Sequence, residues 1–296
     1  MGMDNIKDTI NIVDYLEYHF EDFTPTQKRI ADFVLSNFQE VLFLTADELS
    51  SKIDTTSSSV VRFAKEIGFS GYPDFRKSLR NLISNQLNIT GQSEKAKQYK
   101  PLDEENIIDI SITSEINSIN QLLKMKDNKK IEEFIELILK SRNKYVVALR
   151  TSYSLGHLLY FKIRKIVPNV FVMNNFDQGI YDTLININSE DLLLAISFPR
   201  YTNLTIDLAR YAKDKGAKVI SITNGRISPL YKISDVCLFC PYKGFTFYNS
   251  NVAAMAMINA IIGRIFNMYY QCAIDNLKEE DKIIEAFNIW FKEQNI

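Results

Sequence analysis

The sequence predicts an all-α domain followed by an α/β domain with a doubly wound, five-stranded parallel sheet. Three observations carry that expectation. Up to about Asn85 the apolar residues follow helical spacing, and no stretch makes a convincing strand. From Tyr145 onward, five short apolar runs alternate with helical patterns, as strands buried on both faces of a parallel sheet do. Between the two styles lies Asn88–Lys100, with Gly91, Ser93 and three lysines and little apolar content, which reads as a linker. The boundaries expected are an N-terminal domain over 1–86, a linker over 87–103 and an α/β domain over 104–296.

The elements follow in order. Thr24-Pro-Thr-Gln27 opens a helix: Thr24 caps, Pro25 fits the first helical position, and Gln27 completes a capping box. Ile30, Phe33, Val34 and Phe38 then share a face. Thr45-Ala-Asp-Glu48 repeats the capping-box spacing and starts a short helix with Leu49 and Ile53 inward. A polar run, Asp54–Ser59, leads into a helix carrying Val60, Ala64 and Ile67, which Gly68 ends in a left-handed conformation. Pro73 opens another helix through Phe75, Leu79 and Leu82. Farther on, Ile112, Ile116, Ile119 and Leu123 mark one amphipathic helix, and Ile131, Phe134, Ile135, Ile138 and Leu139 a second. The strands expected are Tyr145–Leu149, Val170–Met173, Leu192–Ser197, Lys218–Thr223 and Val236–Phe239.

Composition sets outer limits. With 46% hydrophobic and 24% charged residues, the 296-residue chain buries a real core and is not disordered over most of its length. A net charge of −1 argues against coating nucleic acid by bulk charge, though not against a local basic surface. Three cysteines are too few for a disulfide scaffold, and the acidic N-terminus does not resemble a secretory signal, so a cytoplasmic protein is expected. The most apolar stretch, Val252–Gly263, falls short of the roughly 20 residues of a membrane span and reads as a buried helix.

The short helix from Thr45, the turn at Asp54 and the helix from Thr56 to Ile67 match a helix-turn-helix. In that motif the second helix enters the DNA major groove with its N-terminal residues at the base edges. Those residues here are Thr56, Ser57, Ser58 and Ser59, followed by Arg62 and Lys65. Hydroxyls bond to bases or phosphates, and the cations supply phosphate charge or a guanine contact. Over Thr55–Leu82 five bases face two acids; a solvated face is the plain alternative for a run of that size.

At this point Phe23–Arg80 resembles the N-terminal domain of RpiR-family bacterial transcriptional regulators. The resemblance rests on Thr24-Pro-Thr-Gln-Lys-Arg-Ile-Ala-Asp32, Thr45-Ala-Asp-Glu-Leu-Ser50, Ser59-Val-Val-Arg-Phe-Ala-Lys-Glu-Ile-Gly-Phe69 and Gly71-Tyr-Pro-Asp-Phe75. Asp54 stands where that family usually has the turn glycine. The resemblance implies operator DNA as a partner and a C-terminal SIS domain, a doubly wound fold that binds phosphosugars. Asp191–Thr223 carries the strongest match in that second part, and Ser228-Pro-Leu and Asp235 continue it.

Hydroxyl-rich loops that meet helix N-termini hold the ligand in such domains. Ser154, Ser197 and Thr202 carry over from the family's loops, and with Ser152 and Arg200 added the expected ligand-binding set is Ser152, Ser154, Ser197, Arg200 and Thr202. Pro199 and Arg200 replace a serine and a glycine of the family's loop, and Arg150 opens a first loop that normally carries glycines. Two readings stay open. Arg200 and Arg150 supply charge to an anionic ligand in place of amides, or the pocket has lost phosphosugar binding and serves only assembly. No cofactor, metal site or catalytic residue is expected: Cys237-Leu-Phe-Cys240 has no second ligand pair, His157 reads as a solvated or hydrogen-bonded histidine, and His19 reads as chemically idle. A homodimer or homotetramer is expected, because helix-turn-helix proteins commonly engage two half-sites. The rival from another class is a sugar-phosphate isomerase, which needs an acid/base pair that the sequence does not offer.

Overall fold

The computed structural model describes residues 12–87, 106–173, 182–246 and 248–287. The linker expected over 87–103 lies outside them except for Leu87, as do Trp290 and Phe291.

The first part is helical throughout its described length. Helix α1 (Ile12–Tyr18) and a 3-10 turn (Phe20–Asp22) lead into α2 (Pro25–Ser36), α3 (Phe38–Val41), α4 (Ala46–Lys52), α5 (Ser57–Glu66) and α6 (Tyr72–Leu87). Both predicted capping boxes form. Thr24 Oγ1 accepts from the Gln27 amide while Gln27 Oε1 accepts from the Thr24 amide, and Thr45 and Glu48 repeat the arrangement. Leu49, Val60, Phe63, Phe75 and Leu79 close the core, with Phe63 edge-on to Phe23 at 5.5 Å and to Phe75 at 6.3 Å. Gly68 takes φ 97°, the left-handed helix end that its position calls for.

The second part begins with α7 (Ile107–Met125) and α8 (Asn128–Lys140). It continues as β1 (Lys144–Ala148), α9 (Tyr153–Ile163), β2 (Val170–Met173), β3 (Leu192–Ile196), α10 (Asn203–Asp214), β4 (Lys218–Thr223), α11 (Pro229–Ile233), β5 (Val236–Phe239), α12 (Val252–Met268) and α13 (Tyr270–Ala286). All strand pairs are parallel, in the order β2-β1-β3-β4-β5. The two-residue period of the strands sorts side chains between two layers. Val146, Ala148, Leu194 and Ile196 meet α8, α9 and α12, whereas Tyr145, Val147, Leu193 and Ala195 meet α10 and α11. The apolar helix α12 is a core element, with Ala253, Ala254, Met257, Ile258, Ile261 and Ile265 buried. Among the described residues no single helix is long and apolar enough to cross a membrane. The strand order reverses between β1 and β3, which places the expected ligand crevice beyond their carboxyl ends.

The two parts touch. Arg226, in the loop after β4, donates its amide to Glu17 Oε1 of α1, and its guanidinium lies 3.3 Å from Glu17 Oε2 and 3.4 Å from Asp32 Oδ1 of α2. The same guanidinium sits 3.6 Å from the centre of the Phe20 ring. Lys232 of α11 donates to Asn37 Oδ1 at 2.7 Å. Ile227 packs against the helical core.

Candidate DNA-binding surface and interdomain cleft

The α4–α5 pair is held from beneath and open above. Val60, Phe63 and Ala64 are buried, so the opposite face of α5 carries Ser58, Arg62 and Lys65 into solvent. The turn before it uses Asp54 at φ 52°, a left-handed conformation that aspartate tolerates better than most side chains. Thr56 is the N-cap: its Oγ1 accepts from the Ser59 amide at 3.2 Å and lies 2.9 Å from Ser59 Oγ. Ser57 and Ser58 have no side-chain partner among the described residues, and neither does Lys65. Arg62 lies 3.7 Å from Glu66, whose other oxygen accepts from Gln27 at 2.6 Å. The cations of α6 do different work. Arg76 donates to the Leu44 carbonyl at 2.9 Å and Arg80 to the Leu42 carbonyl at 2.8 Å, fixing the segment that precedes α4. The local basic excess in the sequence therefore divides between structural Arg76 and Arg80 and the exposed Arg62, Lys65 and Lys77.

A cleft of about 930 Å³ lies between the two parts. Arg150, Arg200, Thr202, Arg210, Ser228 and Lys232 line it from the α/β side, and Ser36, Asn37 and Glu40 from the helical side. These α/β residues follow the carboxyl ends of β1, β3 and β4 or sit on the helices just beyond them. Thr202 is the N-cap of α10 but makes no side-chain cap bond, which leaves its hydroxyl available beside the first-turn amides. Thr223 ties the loops together: its hydroxyl donates to the Ser197 carbonyl at 2.6 Å and lies 2.8 Å from Ser228 Oγ. Tyr201 adds a bond to Asn224 Oδ1 at 2.8 Å, and burial pushes its phenol well above the ordinary range. Arg150 holds φ 56°, a left-handed backbone at the start of a loop where the resemblance places glycines.

A family model for the helix-turn-helix domain of the rpiR family matches residues 10–86, and a SIS-domain model matches residues 137–264. The chain belongs to the RpiR family. Its relatives include an uncharacterized HTH-type transcriptional regulator of Thermotoga maritima, 26% identical over 231 residues, covering 77% of this chain and 81% of the relative. Another, from Caldanaerobacter subterraneus, is 23% identical over 276 residues, covering 90% and 94%. Among solved structures, the sugar isomerase domain of an RpiR transcription factor from Sphaerobacter thermophilus superposes with a TM-score of 0.58 at 23% identity, over 60% of this chain and 99% of that one. The Vibrio vulnificus NanR protein complexed with ManNAc-6P gives 0.53 at 22% identity, over 94% and 99%. At such identities the structures show the fold: a helical helix-turn-helix region joined to a SIS-type parallel sheet.

Of the ligand residues expected from sequence, Arg200 and Thr202 line the interdomain cleft of this RpiR-family chain together with Arg150. Ser152, Ser154 and Ser197 are not among its lining residues. Ser154 instead donates to the Thr151 carbonyl at 2.9 Å and accepts from Asn251 at 3.3 Å. Ser152 and Ser197 are buried. Sequence reasoning missed Ser36, Asn37, Arg210 and Lys232. No local pattern marks them, because they meet only when α2 rests beside α11. The cysteine pair is structural in its surroundings: Cys237 on β5 accepts from Ser221 Oγ at 3.0 Å, and burial drives its thiol up to about 12.

Proposed function

We propose that this chain is a cytoplasmic regulator that binds operator DNA through Thr56–Lys65 and is controlled by an anionic sugar derivative. In this reading the DNA-binding domain ends at residue 86, residues 87–103 link it to the ligand domain, and Ser57, Ser58, Arg62 and Lys65 contact the duplex. Thr56 and Ser59 shape the start of the helix. The observation that carries the reading is the face of α5: Val60, Phe63 and Ala64 are buried, and Ser58, Arg62 and Lys65 are exposed on the opposite side.

The ligand half of the proposal draws on the cations and hydroxyls beyond the strand ends, with Ser152, Ser154, Ser197, Arg200 and Thr202 as the candidate set. The structural neighbour NanR, complexed with ManNAc-6P, supports a phosphosugar-like ligand. The cleft gives little support to catalysis: its carboxylates are engaged, Glu40 with Lys52 at 2.8 Å and Asp207 with Arg210 at 3.2 Å. A homo-oligomer completes the proposal, since two copies present two α5 helices to two half-sites.

The test is binding to the DNA upstream of its own gene, followed by fluorescence anisotropy across salt concentrations. Affinity is expected to fall steeply with salt. Arg62→Ala or Lys65→Ala should flatten the log–log slope by about one unit for each phosphate that is no longer neutralised. Salt-independent binding, or none, overturns the DNA half. Absence of thermal stabilisation by any sugar phosphate would leave the SIS domain as an assembly scaffold.

A further inference from the structure

We infer that the cleft between the domains is a joint anion site, in which the DNA-binding domain supplies part of the wall and positions one of the gripping cations. This rests on the ligand-controlled reading and extends it, because it puts residues of the helical domain into ligand recognition. Charge is the first ground. Arg150 and Arg200 have no ion pair among the described residues, and Lys232 faces only the neutral amide of Asn37. The cleft's own carboxylates are already neutralised by Lys52 and Arg210. Three uncompensated cations around about 930 Å³ attract an anion, and the guanidiniums suit the forked geometry of a phosphate or carboxylate.

The second ground is an orphan. Ser36, the last residue of α2, lines the cleft, and its Oγ is buried with no hydrogen-bond partner among the described residues. That oxygen is closed to solvent in the free protein, so a ligand hydroxyl meets it only as the wall shifts around the ligand, and the bond then recovers the cost of the unmade one. The third ground is positioning. Lys232 belongs to the SIS domain, but its ammonium is held by Asn37, whose own amide is braced on the Phe33 carbonyl at 3.2 Å. One of the three cations is thus aimed by the helical domain. The ligand class that fits is a phosphorylated or carboxylated polyol, its anionic end toward Arg150, Arg200 and Lys232 and its hydroxyls toward Ser36. By linkage, such a ligand strengthens domain docking by the factor by which docking strengthens its binding.

The experiment titrates the full chain at low ionic strength with inorganic phosphate and with glucose 6-phosphate, by calorimetry. Wild type is expected to bind both. Arg200→Ala should weaken both by at least about tenfold, the scale of a missing charged hydrogen bond. Asn37→Ala should weaken both by roughly threefold to tenfold through Lys232. Ser36→Ala should spare phosphate and weaken glucose 6-phosphate by about fivefold, while the melting temperature of the free protein holds or rises because an unsatisfied hydroxyl is gone. The inference fails if wild type binds neither anion, or if Asn37→Ala and Ser36→Ala bind both as wild type does. Salt-sensitive operator binding by the same preparation separates the two claims: if it persists while anion binding is absent, the cleft is wrong and the DNA reading stands.

Discussion

At the start of α5 the hydroxyls divide into two kinds. The Thr56 and Ser59 hydroxyls bond to each other and Thr56 Oγ1 also accepts from the Ser59 amide, whereas the Ser57 and Ser58 hydroxyls are uncommitted among the described residues. From sequence the four look alike, because residue type alone does not say which hydroxyl the backbone will claim. The distinction is measurable. Thr56→Ala removes an N-cap and should lower unfolding free energy by about 1 kcal/mol in urea denaturation. Ser58→Ala should leave stability within about 0.5 kcal/mol, as surface changes do, yet weaken operator binding. If Ser58→Ala binds DNA as wild type does and Thr56→Ala is equally stable, the assignment of roles along this turn is wrong. Asp54 and Arg150 make a related point. Both hold a left-handed φ where the resemblance places glycine, so the backbone shape persists although the residue that usually permits it is gone.

Elements set by near neighbours are legible in the sequence. The runs Lys218–Thr223 and Val236–Phe239 coincide with β4 and β5, and the capping spacings at Thr24 and Thr45 both close. Their signals are local: apolar runs bounded by turns, and a hydroxyl three residues before a carboxylate or amide. Helix α7 marks where such reading stops. Its stripe of Ile112, Ile116, Ile119 and Leu123 is plain from periodicity, but periodicity does not say what covers it. In the single chain these residues are 54%, 52%, 41% and 64% exposed, and Ile108 extends the stripe toward the helix start. A row of that length open to water is a liability for a lone molecule, and the proposed homo-oligomer would use it as a seam. Ile116→Glu with Leu123→Lys should therefore shift the protein to monomer in multi-angle light scattering. Operator binding should weaken with it, because two linked half-sites bind more tightly than one. An unchanged oligomer would remove α7 from the interface.

Across the whole molecule, the contacts that join the two domains are the least legible part, since Glu17 and Arg226 stand 209 positions apart. They also constrain how a ligand can act. The docked surface uses α1, the Phe20 turn and α2, and leaves the face of α5 open, so docking orients α5 rather than covering it. The loop that carries Arg226 is the one tied through Thr223 and Tyr201 to the loop after β3, which lines the cleft. Gly225 allows the approach: a Cβ there would lie 2.5 Å from Glu17 Oε1. Arg226 and Glu17 are only 12% and 14% exposed, so removing the guanidinium takes away a counter-charge that water replaces poorly. Arg226→Ala should then cost roughly 3 kcal/mol of interdomain stability. Arg226→Ala combined with Glu17→Gln should cost less than the arginine change alone, because the shielded negative charge that the guanidinium offset is removed with it, while Asp32 is 47% exposed to water. The functional consequence follows from linkage: a ligand shifts operator affinity only through a difference between docked and undocked arrangements. Anisotropy titrations with and without sugar phosphate should show a shift in operator affinity for wild type and a much smaller one for Arg226→Ala. An identical shift in both proteins would mean that the signal reaches α5 by another route, with the Arg226 contact serving only to hold the domains together.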